Sequence, residues 1–205
     1  MEPLRLFISA TRDQENNRAV IARALANLPV RVGAELRRTP VEGVKYDDLY
    51  ERIATVDRLY FLLGRDITAP AGAEWDLAWK LERSLLPLRT PGPRSPAGEK
   101  FLRLLPMGWI TFHNTTELDC IIRADLIDLL LHPENRYGLT LLEHERLRVL
   151  RRQLSDQLRA RTASPYSEEA PVLPDGGIGG GGALLDDGRR AAEWKEEWKE
   201  EWKEE

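Results

Sequence analysis

The sequence predicts an α/β fold in which a parallel sheet of about five strands is flanked by helices. Short apolar runs, which suit buried strands, alternate with longer segments whose apolar residues repeat at helical spacing. Polar residues or loops with Gly and Pro follow several of these runs. An open parallel sheet binds its ligands at that place, outside the carboxyl ends of its strands.

Five apolar runs are predicted as strands, and the near-continuous run 58–63 suits a central position in the sheet. The predicted strands are residues 4–8, 30–32, 58–63, 85–88 and 109–112. Pro87 lacks a backbone donor and predicts an irregular edge for the fourth strand. The predicted helices are residues 14–28, 46–55, 73–84, 99–105, 118–132 and 140–161. Ser9, Thr11 and Asp13 precede the first helix and are residue types that cap helices.

The chain is predicted to contain three regions. Residues 4–138 form the α/β domain, and residues 139–162 add a helical extension. The leucines of this extension lie on one stripe, which must pack on the domain or on another helix. Residues 163–205 form a Gly-rich linker and a disordered tail, in which Glu-Trp-Lys-Glu occurs three times. This repeat is either a low-complexity sequence or a helix that docks on a partner or on a membrane surface, and its acidity counts against anionic membranes.

The charge distribution gives no reason to expect a nucleic acid or a membrane as partner. The net charge is -4, and residues 166–205 hold 12 acidic and 5 basic side chains. The remaining residues hold 25 basic and 22 acidic side chains, and neither balance is extreme enough to demand DNA, RNA or a membrane surface. The single cysteine, Cys120, cannot form an internal disulfide and predicts a reducing, cytoplasmic location.

Five short motifs follow one another in the order that one group of proteins shows. They are Phe7-Ile8-Ser9-Ala10-Thr11 with Asp13 and Arg18, Gly33-Ala34-Glu35-Leu36, Asp57 before the run 59–64, Glu74 four residues before Ala78, and the segment 112–118. Together they resemble the bacterial domains related to TIR domains and to nucleoside 2-deoxyribosyltransferases, over residues 4–138. The resemblance implies a flavodoxin-like (TIR-like) sheet. Ala10 departs from the pattern, which has a second hydroxyl residue at this position.

The resemblance implies that Glu74 is the catalytic residue. In TIR NADases and deoxyribosyltransferases the corresponding glutamate acts at the anomeric carbon of a ribosyl group. Cleavage of an N-glycosidic bond builds positive charge on the sugar, which a fixed carboxylate can stabilise or attack. The implied substrate is NAD or another nucleotide, and no cofactor is required. A structural alternative stays open, because an acid in the first turn of a helix also stabilises the helix macrodipole.

Six further residues near predicted strand ends are candidates for ligand binding. They are Ser9, Thr11, Arg12, Glu35, Arg65 and Asp66. Hydroxyls after the first strand could hold a phosphate or a ribose, helped by the helix that follows, and an arginine could bind a phosphate through two hydrogen bonds. For the hydroxyl residues, helix capping is the structural alternative. No metal site is predicted, since the three histidines and Cys120 lack ligand spacing.

Two classes of function remain open at this point. The first is an N-glycosidase that acts on NAD or a related nucleotide in bacterial defence or signalling. The second is a non-catalytic module that binds a nucleotide or assembles with copies of itself or with a partner protein. The helix 140–161 and the Trp-rich tail are the surfaces expected to mediate such assembly.

Overall fold

Five parallel strands form a sheet in the order β2-β1-β3-β4-β5. The computed structural model describes residues 2–40, 43–105, 108–134 and 137–162. The strands are β1 Leu4–Ala10, β2 Ala34–Arg37, β3 Arg58–Leu63, β4 Leu85–Arg89 and β5 Ile110–Thr111. The helices are α1 Glu15–Ala26, α2 Tyr46–Ala54, α3 Ala69–Lys80, α4 Pro96–Leu104, α5 Thr115–Leu130 and α6 Leu141–Thr162. The predicted α/β fold is confirmed, and this strand order is that of flavodoxin-like sheets.

The two faces of the sheet bury different helices. Successive residues of a strand point to opposite faces. Leu6 and Ile8 of β1 therefore join the core formed with α1, α5 and α6, whereas Phe7 joins the core formed with α2, α3 and α4. Ser9 follows Phe7 by two residues and faces the same side. The end of β1 thus presents a hydroxyl to α3.

Aromatic packing fixes the position of α3 on its face of the sheet. The ring of Trp75 stacks on Trp109 with centroids 5.5 Å apart and meets Phe61 edge-on at 4.7 Å. Trp75 is buried, and Phe101 of α4 completes the cluster. Such aromatic pairs add about 0.5–1.5 kcal/mol each beyond the area they bury. The adjacent residue, Glu74, is therefore carried on a well-anchored helix.

The second strand lies four residues later than predicted. The apolar segment 30–32 packs against the core as a loop. Pairing begins where Leu4 N donates to Gly33 O at 2.8 Å, and β2 continues to Arg37. β2 is an edge strand with mostly exposed side chains, so it lacks the apolar pattern by which strands are recognised.

The irregular edge predicted at Pro87 has a structural counterpart. β5 is only two residues long and pairs with Leu88 and Arg89 of β4. Pro87 pairs with Phe61 on the β3 side and lies outside the part of β4 that β5 covers. The missing backbone donor of the proline therefore leaves no gap in a ladder.

The last described helix packs on the domain. Leu147 and Leu154 of α6 are buried in the same core as α5. The leucine stripe therefore covers the α/β domain, one of the two predicted outcomes. The predicted tail, residues 163–205, lies outside the described residues. Among the described helices, none combines the length and apolar composition that a bilayer crossing requires.

Candidate functional site

At the carboxyl edge of the sheet, β1 extends beyond its neighbour β2. β2 pairs only with residues 4–7, whereas β1 continues to Ala10. The carbonyls of Ile8 and Ala10 accept hydrogen bonds from the guanidinium of Arg18, the latter at 3.4 Å. Arg18 Nε forms an ion pair with Glu15 at 2.8 Å. The guanidinium of Arg18, rather than a neighbouring strand, thus donates hydrogen bonds to the backbone carbonyls at this end of β1.

Glu74 lies buried in α3 beside the end of β1. Only 2% of its surface is exposed, and Ser9 is fully buried. Glu74 Oε1 accepts a hydrogen bond from the Thr39 hydroxyl, whereas Glu74 Oε2 and Ser9 Oγ have no hydrogen-bond partner within the described residues. The Ser9 hydroxyl is near enough to influence the pKa of the carboxyl, but it lacks the geometry of a hydrogen bond. Buried polar atoms normally have hydrogen-bond partners, so Glu74 Oε2 and Ser9 Oγ are candidates for contact with a ligand.

The pKa of Glu74 is raised above its ordinary value of 4.5 by burial. Desolvation disfavours the charged carboxylate, and the Ser9 and Thr39 hydroxyls and the positive charge of Arg18 offset only part of this effect. The group therefore holds its proton more firmly than an exposed glutamate does. A buried carboxyl with a raised pKa is a common feature of catalytic acids.

Glu74 lies in the second turn of its helix, so the macrodipole alternative is wrong. α3 begins at Ala69, and none of the residues in its first turn is acidic. The helix starts earlier than predicted because Pro70 suits the first turn, where its missing N–H costs no hydrogen bond. The position of Glu74 is thus not explained by helix stability.

The crevice between the carboxyl ends of β1 and β3 is filled by the protein itself. Thr11 Oγ1 accepts a hydrogen bond from Gly64 N at 3.0 Å and donates to Asp13 at 2.7 Å. Asp13 Oδ2 accepts from Arg65 N at 2.8 Å. A Cβ atom on Gly64 would lie 1.8 Å from this oxygen. A sheet of this order binds ligands in this crevice, and here the Asp13 carboxylate occupies it.

These hydrogen bonds also lower the pKa of Asp13. Desolvation raises its pKa, but the hydrogen bonds from Thr11 and the Arg65 backbone outweigh this and lower the pKa below 3.8. The predicted helix-capping role of Ser9, Thr11 and Asp13 is wrong, since neither α1 nor the short 3-10 helix Arg12–Gln14 receives a side-chain cap. Their side chains face the sheet edge instead.

Three of the predicted ligand residues lie at the same edge but apart from Glu74. The side chains of Arg12 and Arg65 are exposed. Asp66 accepts hydrogen bonds from the Ser95 hydroxyl and from Ile67 N at 2.9 Å, which ties the loop after β3 to the start of α4. Within the described part of the chain, no hydrogen bond or ion pair joins any of these three residues to Glu74.

The predicted position of Glu35, after the second strand, is wrong. Glu35 lies inside β2 and is paired in register with Arg5, near the amino end of β1. It forms ion pairs with Arg37 at 2.9 Å and Arg5 at 3.8 Å, and the Arg37 hydrogen bonds lower its pKa below 4.5. Ser9 lies four residues beyond Arg5 along β1, about 13 Å away. Glu35 is therefore not brought to the site, because β2 begins later than predicted.

Two contributors to the site were absent from the predicted set of site residues. Thr39 follows the true end of β2 and corresponds to the position that Glu35 was expected to hold. Arg18 is predicted only as a member of the first motif, although a cation one helical turn into α1 can reach the end of β1. The correct register of β2 would have pointed to Thr39.

Open hollows lie elsewhere on the described surface. One of about 560 Å³ is lined by the end of α1, by α5 and by α6, and another of about 410 Å³ lies between α1 and β2. Glu74 lines neither of them. In the described ranges, no group of three or more His, Cys, Asp or Glu side chains is arranged to hold a metal ion.

Comparison with known proteins adds little beyond the fold. Neither a protein-family model nor a curated protein sequence matches this chain. Among solved structures, a flavodoxin-like domain from Synechococcus sp. is similar over 77% of this chain and 97% of that domain, at 11% identity and a TM-score of 0.35. So distant a likeness says nothing about ligand or activity.

Proposed function

We propose that this protein binds the ribosyl group of a nucleotide at Ser9 and Glu74 and cleaves the N-glycosidic bond of NAD or a related nucleotide. The observation that carries the proposal is the pair of adjacent, buried and unpartnered oxygens, Glu74 Oε2 and Ser9 Oγ. A sugar hydroxyl both donates and accepts a hydrogen bond and would satisfy both atoms. The motif resemblance to TIR-related domains supports the same role, in a cytoplasmic defence or signalling setting.

The chemistry suits a carboxyl group in these surroundings. As the bond from C1′ to the base breaks, positive charge develops on the sugar and the base leaves with the bonding electrons. The ionised Glu74 carboxylate would stabilise that charge or attack C1′, and water then completes the hydrolysis. The positive charge of Arg18 favours the ionised form, since it opposes the effect of burial on the pKa of Glu74.

Access to Glu74 requires a local movement of Thr39. The carboxyl is almost fully buried, and the Thr39 hydroxyl holds its Oε1. A sugar hydroxyl would have to replace this hydrogen bond, so substrate binding competes with Thr39. Replacement of Thr39 by Ala removes the competitor and should lower KM.

The test is incubation of the purified protein with NAD and a panel of nucleosides and nucleotides, with release of nicotinamide or free base measured by chromatography. Glu74→Gln should lower kcat by about 10²–10³-fold, the usual cost of removing one group that stabilises charge in the transition state. Asp76→Asn is the matched control, because Asp76 lies on the same helix but is exposed and paired with Lys80. Equal turnover by Glu74→Gln and the wild type would reject the proposed catalytic role.

A non-catalytic module is the second candidate, and the closure of Glu74 by Thr39 favours it. The predicted assembly surface on α6 exposes Leu141, Leu142 and Val149. Exposed apolar side chains of this kind suit association with a second copy or a partner protein. If the wild type turns over none of the compounds but binds a nucleotide or sediments as an oligomer, this second function replaces the first.

A further inference from the structure

Two arginines at the carboxyl end of β4 lack anionic partners. Arg89 is the last residue of β4, and its Nε donates to Thr111 at 3.0 Å. Arg94 lies in the following loop and donates to the Gly92 carbonyl at 3.3 Å and to the Thr90 carbonyl. Within the described residues neither forms an ion pair, the two Nη groups of Arg89 have no hydrogen-bond partner, and Arg94 Nε is buried without one.

The two guanidinium groups also lie close enough to repel each other. Desolvation and the charge of Arg89 lower the pKa of Arg94, and Glu99 only partly opposes this. Like charges at close range are unfavourable unless an anion lies between them. Elsewhere in the described fold, half-buried arginines such as Arg58 and Arg151 do contact a carboxylate.

This cationic pair lies on the same face and edge of the sheet as Glu74. Arg89 is in register with Leu63, which belongs to the core under α3 and α4. β4 is two strands away from β1 in the sheet order, a lateral distance of about 10 Å. The diphosphate of a nucleotide and the long side chain of Arg89 can together span such a distance.

The crevice nearest to Glu74 cannot receive a phosphate. Asp13 occupies it and presents a negative charge there. We therefore expect a phosphorylated ligand whose ribose contacts Glu74 to place its phosphates along the edge, beyond β3. Arg89 and Arg94 lie in that direction, and neither forms an ion pair within the described residues.

We propose that Arg89 and Arg94 form a phosphate-binding subsite that receives the diphosphate group of a nucleotide. This inference rests on the proposed function for its ribosyl site and narrows the substrate from nucleosides in general to nucleoside diphosphates and dinucleotides. Each arginine presents N–H groups that suit phosphate oxygens. The subsite supplies binding and position, whereas Glu74 supplies the chemistry.

The first test measures binding of inorganic pyrophosphate and of ADP by titration calorimetry. Arg89→Gln and Arg94→Gln should each weaken both affinities by about tenfold, as expected for loss of a hydrogen bond to a charged group. Arg103→Gln is the control, because Arg103 is an exposed arginine in the last turn of α4. Equal affinities in all four proteins would overturn the subsite.

The second test needs no substitution, so a folding defect cannot obscure it. Wild-type protein is treated with phenylglyoxal, which modifies arginine, and the modified residues are identified by mass spectrometry. Pyrophosphate should slow modification of Arg89 and Arg94 at least about fivefold relative to Arg103. No protection, or equal protection of all three, would mean that the pair binds no phosphate or only an adventitious ion.

The outcomes separate this inference from the proposed function. Glu74→Gln should bind pyrophosphate like the wild type, because Glu74 does not contact the subsite. If pyrophosphate binds as expected but no base is released from any nucleotide, the subsite stands and the proposed reaction fails. If Glu74-dependent release occurs but the arginine variants bind pyrophosphate normally, the reaction stands and the subsite fails.

Discussion

Buried carboxyl groups at the two ends of the sheet differ in how completely they are hydrogen-bonded. Near the amino end of β3, the Asp125 carboxylate accepts hydrogen bonds from Arg58 Nε at 3.0 Å and from the Tyr60 hydroxyl at 2.8 Å. At the carboxyl end, the Glu74 carboxyl has one oxygen unpartnered beside the unpartnered hydroxyl of Ser9. In the first arrangement the carboxylate is fully hydrogen-bonded, and in the second one carboxyl oxygen has no partner within the described residues.

This difference separates residues that hold the fold from residues that receive a ligand in the proposed function. A buried polar group that has all its hydrogen-bond partners stabilises the fold. Removing one partner leaves the remaining groups buried without a hydrogen bond, which lowers stability. A buried polar group without partners costs stability and persists where function needs it. Substitution of Asp125 and substitution of Glu74 should therefore change stability in opposite directions.

The largest expected effect is at the amino end. Asp125→Ala should lower the free energy of unfolding by about 3–5 kcal/mol, because it leaves the Arg58 guanidinium and the Tyr60 hydroxyl buried without their partner. Urea denaturation measures the change. Asp128→Ala is the control, since Asp128 is half exposed and its ion pair with Arg151 should contribute only about 0–1 kcal/mol. If both variants lost the same free energy of unfolding, the carboxylate of Asp125 would contribute no more to stability than an exposed ion pair does.

An intermediate effect is expected at the crevice between β1 and β3. Gly64→Ala places a Cβ atom 1.8 Å from Asp13 Oδ2 and should cost about 1–3 kcal/mol of unfolding free energy. Gly33→Ala, where no atom lies within 4 Å of the added Cβ, should change stability by no more than about 0.5 kcal/mol.

A double-mutant cycle shows whether Asp13 is the cause. In the Asp13→Ala background, Gly64→Ala should cost much less, since the carboxylate that meets the new Cβ is gone. An undiminished cost would mean that the strain arises in the backbone rather than at the carboxylate in the crevice.

The sequence predicted those parts of the molecule that have an apolar signature. β1 and β3 are buried on both faces and were placed within two residues of their observed bounds. β2 was misplaced because three of its four side chains are exposed, so that the more apolar segment 30–32 was taken for the strand. The start of α3 was missed although Pro70 signals it.

The candidate site shows the same limit. Glu74 and Ser9 were predicted from motif order and strand ends, and the structure brings these two together. Thr39 could not be predicted, since its place depends on the register of β2. That Asp13 turns into the crevice depends on the missing side chain at Gly64, a three-dimensional fit that no local pattern encodes.

The smallest expected effect is at Glu74 and has the opposite sign. Glu74→Gln should raise the free energy of unfolding by on the order of 1 kcal/mol at neutral pH, the size of one net hydrogen bond. The pKa of Glu74 is higher in the folded state, so its ionisation destabilises the fold as the pH rises through that value. Below the ordinary value of 4.5 the carboxyl is protonated in both states, and the advantage of the glutamine should vanish.

Urea denaturation of both proteins on either side of this range measures the difference. Asp76 lies exposed on the same helix and pairs with Lys80. Asp76→Asn should therefore show no pH-dependent gain in the free energy of unfolding. A glutamine variant that is less stable than the wild type at neutral pH would mean that the carboxylate is fully paired in the folded protein. The carboxyl end would then resemble the amino end, and the argument for a ligand at Ser9 and Glu74 would fail even if the fold were unchanged.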